Sequence, residues 1–418
     1  MEQIKIENFL VIKEATFKIN KLNVIIGPQA NGKSILVKLS YFFKKLINTV
    51  FLNSIKDSEN VQELIESGKV LFESYFPSYI WKNTNFNISY ENKHFLIEIN
   101  NSTDNNFNLI FCDNFLELKR DMENDYKKFL KKNKKDNNSL LFNLMSFQDF
   151  KSIFFKKNKT NECIQKLLVN TIFIPASRSY FISLQKNIFS FLSKDIDIDI
   201  FIKEFGSYYE RSKNIYSEIE IYKKFNRINV DEFKKLMDMI LKGEFVHKDN
   251  KDWIQTKDSL ISLSDASSGQ QESLPMLMVL YTQLILGNKN INYIEEPEAH
   301  LFPNSQKYII YIIALLYNFN NVNFITTHSP YVLTAINNLI FAYDVMKNKG
   351  EDLVSEIISK NLTINFDDVA AYTIENGILT SIKDEDTRLI GMNIIDSVSD
   401  DFSEEFDKLL KLSIYNDF

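Results

Sequence analysis

The chain has 418 residues, 44% of them hydrophobic, which is enough for a large buried core and excludes wholesale disorder. Its 49 basic and 55 acidic residues give a formal net charge of −6, which argues against a generic polyanion-coating protein and leaves room for a local basic patch. Cys112 and Cys163 are the only cysteines, so neither a disulfide framework nor a cysteine zinc cluster is expected, and a reducing, cytoplasmic setting is.

From Met1 to Lys5 the sequence runs straight into alternating strand-like residues without an apolar leader, so no secretory signal is expected. Ile4–Ile6 and Ala15–Ile19 read as short strands around a turn, and Leu22–Ile26 as a buried strand of the parallel kind. Gly27 to Ser34 breaks that pattern, and Ile35–Leu46 resumes it at helical spacing. Phe86–Tyr90, Phe95–Ile99 and Leu109–Cys112 read as antiparallel strands. From about Asp121 to Thr160, lysines 127, 128, 131, 132, 134, 135, 151, 156, 157 and 159 crowd together with asparagine, as in an inserted helical lobe. Leu167–Ile174 is another buried strand, stopped by Pro175, and Phe181 to about Leu241 is amphipathic helix material. Asn292–Ile294 and Asn323–Thr326 are short apolar strands that end in polar residues. Val369–Ile374 and Ile378–Ile382 flank Asn376-Gly377, a strong hairpin signal, and a helix is expected from near Arg388. The most apolar helical stretch, from about Tyr308 to Tyr317, falls far short of the ~20 residues of a membrane span, so no membrane contact is expected.

Gly27-Pro28-Gln29-Ala30-Asn31-Gly32-Lys33-Ser34 satisfies G-x-x-x-x-G-K-S between an apolar strand and an amphipathic helix. The N–H groups of such a loop curl around phosphates, with glycine where a side chain would collide. Lys33 is placed to reach the β- and γ-phosphates, and the Ser34 hydroxyl to ligate Mg²⁺, so ATP and Mg²⁺ are the expected cofactors. The helix behind the loop points its positive end at the same anion. Asn292 to His300 is an apolar strand ending in acids: Glu295 to hold Mg²⁺ directly or through water, and Glu296 to accept a proton from an attacking water. Ser267, Ser268, Gly269 and Gln270 precede the helix carrying Leu277 to Leu286, where a serine suits both an N-cap and a phosphate. Pro275 predicts a kink early in that helix. His328, in Thr326-Thr327-His328-Ser329-Pro330, again follows an apolar strand.

These four motifs, in this order, resemble the ABC superfamily of ATPases, whose signature peptide reads L-S-G-G-Q. The match falls on Ser267, Gly269 and Gln270, while Ala266 and Ser268 depart. E-E-P-E-A-H-L-F-P from Glu295 to Pro303, Thr327-His328-Ser329-Pro330, and Ile174-Pro175-Ala176-Ser177-Arg178-Ser179 resemble the OLD/RecF/SMC-like group of ATP-binding AAA proteins. Phe302 departs, standing where relatives often have histidine and transporter ATPases the D-loop aspartate. The resemblance covers residues 1–50 and roughly 165–382.

It implies an α/β P-loop NTPase fold: an ABC-type head with a mostly parallel sheet, an antiparallel β-subdomain and helical insertions. The expected parts are 1–50 and 165–350 for the head, the latter with a helical insertion near 181–260. Residues 51–164 would hold the β-subdomain and helical lobe, and 351–418 a hairpin and closing helices. It further implies an ATP hydrolase in which Glu296 and His328 are catalytic, Ser34 and Glu295 hold the metal, and Ser267 to Gln270 meet the γ-phosphate held by a second copy. Homodimers or higher homo-oligomers are implied with it. The two expected roles are the ATPase or sensor component of a prokaryotic antiphage system (PARIS-, Septu- or retron-associated) with a separate nuclease or toxin effector, and a stand-alone RecF-like DNA repair ATPase. DNA or RNA is a candidate ligand of the lysine cluster. Arg178 suits a phosphate contact, a dimer contact or a structural salt bridge, Gln148 and Gln185 are candidates for the Q-loop, and Phe9 and Phe17 are expected in the core sooner than against adenine. Asp384-Glu385-Asp386 formally supplies the D-x-D of a TOPRIM nuclease, but an acidic turn is the expected reading, with no nuclease activity in this chain.

Overall fold

The computed structural model describes residues 2–103, 106–133, 140–158, 169–180, 182, 198–218, 230–248, 251–287 and 289–391. Leu22–Ile26 (β3) lies inside the main sheet with all its residues buried. Before it come β1 (Glu2–Phe9) and β2 (Ile12–Ile19), and after it β4 (Phe86–Glu91), β5 (Leu96–Asn101), β6 (Asn108–Phe111) and β7 (Asn170–Ile174). The second half adds β8 (Glu244–Lys248), β9 (Lys251–Gln255), β10 (Leu260–Ser262), β11 (Asn290–Glu295), β12 (Val322–Thr327), β13 (Val369–Glu375) and β14 (Ile378–Ser381). An eleven-stranded sheet runs in the order β6-β5-β4-β1-β2-β14-β13-β3-β12-β11-β7. Strands β13, β3, β12, β11 and β7 are mutually parallel, and the rest are joined mainly by antiparallel pairs.

The α/β expectation therefore holds, with one correction. The antiparallel strands at 86–112 form as expected and extend the main sheet through β1. The insertion near 181–260 is not helical throughout, since β8, β9 and β10 form a small antiparallel sheet. Lys248 and Lys251 pair where β8 and β9 come together, and the sequence carries no glycine between them to announce a hairpin.

Period-two alternation sends neighbouring residues of the parallel strands to opposite faces, and helices cover both. Val24, Ile26, Ile294 and Ile325 join one core cluster, and Ile25, Tyr293 and Phe324 the other. The first face packs on helices α7 (Asp231–Leu241), α8 (Ser268–Ile285), α9 (Pro303–Asn318) and α10 (Pro330–Lys349), the second on α1 (Lys33–Lys45) and α3 (Val61–Tyr75), with α2 (Leu52–Asp57) beyond. Helices α4 (Asp113–Asn133), α5 (Leu140–Lys157) and α6 (Ile200–Ser217) come between, and a short α11 (Glu351–Ser355) follows α10. The second face is aromatic: Tyr293 stacks on Phe324 at 4.5 Å between centroids and meets Tyr41 of α1 edge-on at 5.3 Å. Phe9 and Phe17 are fully buried there, as expected of core residues.

Buried polar side chains pin the register. Asn292 Nδ2 donates to Asn323 Oδ1 at 2.9 Å across the paired positions of β11 and β12, and a one-residue slip would leave both amides without that bond. The Asn376-Gly377 hairpin between β13 and β14 forms as expected, both residues having positive φ. A Cβ on Gly377 would lie 2.4 Å from the Val11 carbonyl oxygen, so only glycine fits this corner against the β1–β2 turn. No helix among the described residues is long and apolar enough to cross a membrane.

Candidate functional site

The site stands at the carboxyl ends of β3, β11 and β12, where an open α/β sheet presents loop residues to ligands. Gly27 leaves β3 with φ 152°, and a Cβ there would lie 2.8 Å from the Ile374 carbonyl oxygen. Ala30 and Gly32 also have positive φ, so the loop curls back before α1 begins. Gly32 is the N-cap of α1 and no side chain caps that end, which suits the helix's first N–H groups to an anion. Lys33 is buried, and its ammonium donates to the Gly27 and Pro28 carbonyls, both at 2.7 Å. Burial holds it below the ordinary lysine value, with Glu296 and Glu298 pulling the other way, so a further anion beside it would favour the charged form.

Glu295 ends β11, buried, with the Ser34 hydroxyl and the Ala176 N–H acting to favour its charged form while its Oε1 has no partner. Burial pushes its carboxyl above the usual range, against the pull of Lys38. A hydroxyl and a buried carboxylate oxygen without a partner are a hard oxygen donor set, and they fit Mg²⁺ held jointly with phosphate oxygens.

Glu296 takes φ 43°, a left-handed conformation that residues with a Cβ rarely adopt, and its N–H donates to the Thr326 carbonyl at 3.0 Å. Its Oε1 is 3.1 Å from His328 Nε2, and His328 Nδ1 is 3.3 Å from Lys33 Nζ. The ammonium has only protons to offer, so Nδ1 accepts and Nε2 carries the proton given to Glu296. Lysine, histidine and glutamate, far apart in sequence, thus form one chain of contacts. Sequence reasoning assigns Glu298 no role, yet the fold gives it one. Its Oε1 accepts from Thr327 Oγ1 at 2.5 Å and from the His328 N–H at 3.0 Å, which fixes the peptide that carries the histidine. Those partners lie 29 and 30 residues away, so no local pattern signals the contact.

Ser267 caps α8 in a capping box with Gln270, whose Nε2 also donates to the Leu241 carbonyl at 2.7 Å. Ser267 and Ser268 are exposed, and none of this peptide's hydrogen bonds among the described residues runs to Lys33, Ser34, Glu295, Glu296 or His328. The first half of the expected site is thus gathered within one chain and the signature peptide is left outside it. Pro275 sits inside α8. Of the readings open for Arg178, the buried structural one is realised, with Nε 3.6 Å from Glu272 Oε2. Gln148 lies in α5 and Gln185 outside the described residues.

Asp384 belongs to a short hairpin, β15 (Lys383–Asp384) with β16 (Leu389–Ile390), and its Oδ1 accepts from the N–H groups of Asp386 and Thr387. That is the acidic turn expected. The helix expected from near Arg388 does not start there: Arg388 has φ 55° and leads into β16, and residues 392–418 lie outside the described ones. Of the lysine cluster, Lys127, Lys128, Lys131 and Lys132 are exposed on α4, while Lys134, Lys135 and Lys159 lie outside the described residues.

Residues 1–333 match the family described as AAA ATPase domain. No curated protein matches the chain in sequence. Among solved structures it is similar to the SMC head domain from Thermotoga maritima, at 10% identity and a TM-score of 0.36 over 91% of this chain and 97% of that one. A second is the Smc head domain with an extended coiled coil bound to the C-terminal domain of ScpA, derived from Pyrococcus furiosus, at 11% identity and 0.39 over 96% and 100%. A third is the recombination mediator protein RecF, at 12% identity and 0.30 over 91% and 97%.

The Glu295 carboxyl, raised by burial, makes a prediction with a definite sign. The folded protein binds its proton more tightly than the unfolded chain does, so the contribution to stability is full below the ordinary carboxylate value. It is lost as pH rises from the ordinary value through the raised one, so burial of this carboxyl costs stability above the ordinary carboxylate range. Glu295→Gln is therefore expected to raise the nucleotide-free melting temperature by a few degrees at neutral pH, with the gain vanishing in acid. Thermal scans across pH with and without MgATP check this: the parent alone gains strongly from MgATP, and a variant less stable at neutral pH contradicts it.

Proposed function

Since the chain belongs to the family of AAA ATPase domains and is thereby an ATP hydrolase, we propose that two copies close head to tail on two ATP molecules and that hydrolysis reopens them. The observation that carries this reading is the Lys33–His328–Glu296 chain of contacts at three neighbouring strand ends. The curled Gly27–Ser34 loop and the N-terminus of α1 bind the phosphates, and Lys33 turns from the loop carbonyls to the β- and γ-oxygens. Ser34 and Glu295 hold Mg²⁺, which when bound supplies positive charge to the phosphate oxygens. Glu296 accepts the proton of the attacking water, and the His328 Nε2–H orients that water or the γ-phosphate.

The Ser267–Gly269 end of α8, exposed at both serines, serves the nucleotide of the second copy, where a serine hydroxyl and the first N–H groups of a helix complete the phosphate's shell. Phe302, 75% exposed just past the acidic run, offers an apolar contact to that copy where transporter ATPases have an aspartate. Phosphoryl transfer depends mainly on positioning and charge, so a half-site binds ATP and turns over slowly until paired. Closure is then a signal. In our reading the chain is the cytoplasmic ATPase component of a prokaryotic antiphage system, and a separate nuclease or toxin reads the closed state. The support is the E-E-P-E-A-H-L-F-P run and the spending of Asp384 on a turn.

Ser267→Arg is expected to leave monomer ATP binding intact and to abolish hydrolysis, because the cation fills the space of the opposing phosphate. Lys33→Ala is expected to lose binding itself. Mixing the two restores one intact composite site per hybrid pair, so a measurable fraction of parental ATPase activity should return. No recovery between folded, pairing variants contradicts catalysis across the pair. The biological part is tested by plating phage on cells that carry the chain with its neighbouring genes. Protection lost on Lys33→Ala supports it, whereas unaltered plating together with sensitivity to DNA damage favours the RecF-like repair role.

A further inference from the structure

Arg178, in the loop after β7, is completely buried, yet its guanidinium is spent almost wholly on backbone carbonyls. Nη1 donates to Glu295 O at 2.8 Å and Pro175 O at 3.1 Å, Nη2 to Glu296 O at 3.0 Å, and Nε to Glu272 O at 2.9 Å. Glu272, in the second turn of α8, answers with its carboxylate, accepting from the Arg178 N–H at 2.9 Å and from Ser179 Oγ at 2.5 Å. One planar fork therefore ties the helix behind Ser267–Gln270 to the carbonyls of both acidic residues at the end of β11. No lysine could do this, since a compact ammonium lacks the flat, spread array of donors.

The peptide held this way is a strained one. A left-handed Glu296 persists only where its surroundings over-determine it. Its N–H is fixed by Thr326 and its carbonyl by Arg178, so the direction of the carboxylate is set from both sides. Helix α8 touches the same segment a second time. A Cβ on Gly269 would lie 2.8 Å from the His300 carbonyl oxygen, so the start of the helix rests directly on the backbone just past Glu296.

We infer that Arg178 is a positioning residue for hydrolysis: it aims Glu296 and links it to α8, so that engagement of Ser267–Gln270 is felt at the Glu296 carboxylate of the same chain. This rests on the reading of Glu296 as proton acceptor and of Ser267–Gln270 as the face toward a second nucleotide.

The test uses the full chain with MgATP and compares Arg178→Lys, Glu272→Gln and Glu296→Gln. For each, kcat and KM are measured per nucleotide-binding site, with a fluorescent ATP analogue reporting affinity and the number of competent sites. Arg178→Lys is expected to lower kcat roughly 10- to 100-fold, with KM and affinity within about threefold of the parent, because a slight misaiming of the base harms the reaction and not the binding. Glu272→Gln is expected to show the same split to a smaller degree. A role confined to folding would reduce the number of competent sites and leave kcat per site unchanged, and that result overturns the inference. If Arg178→Lys does not fold, Glu272→Gln decides by the same split, and parental kcat there overturns it. Glu296→Gln separates the two levels: parental hydrolysis by that variant sinks the reading of the site, whereas its loss alongside parental kcat in Arg178→Lys sinks only the role of Arg178.

Discussion

The register of three parallel strands sets where the groups of the candidate site stand. Glu295 lies opposite Thr326, and Thr327 opposite Ile26, so the strand ends that release Glu296, His328 and the Gly27 loop are level with one another. Slippage by one residue would move Glu296 and His328 to opposite faces and separate them from Lys33. The buried Asn292–Asn323 bond opposes that slip, and so does the Tyr293–Phe324 stack beneath it. The aromatic second face holds α1 from below, which keeps Lys33 aimed at the strand ends.

Charge is the second consequence of that geometry. Glu295, Glu296 and Glu298 converge within a few residues, and Glu295 and Glu298 are held above their usual range by burial. Lys33 and Arg178 stand among them, both lowered by burial and both favoured by the acids. Such a cluster is costly without a ligand and is relieved by one that carries both signs, as a metal-bound polyphosphate does.

Local pattern makes much of this legible. The apolar run Leu22–Ile26 before a glycine-bearing loop announces strand, loop and helix together, because backbone curl and helix dipole both demand that order. Asn376-Gly377 likewise announces its hairpin. Contacts across long separations are not legible. Glu298 meets Thr327 and His328 only after the sheet forms, and Arg178 reaches Glu272 and the carbonyls of Glu295 and Glu296 from a loop 94 to 118 positions away. The small sheet at 244–262 escapes detection because its strands are short and only partly buried, so their alternation is weak. Buried asparagines in β11 and β12 read as loop residues in isolation, though together they hold the register.

The central claim is that His328 and Glu296 act as one hydrolytic unit at those strand ends. Single-turnover hydrolysis of bound ATP by His328→Ala, Glu296→Gln and the double variant tests it most directly. Groups that act together lose their whole effect with either member. Each single variant is therefore expected to slow cleavage by roughly 100-fold or more, and the double by no more than about threefold beyond the slower single. Losses that multiply in the double variant, or parental cleavage in either single, would contradict the account.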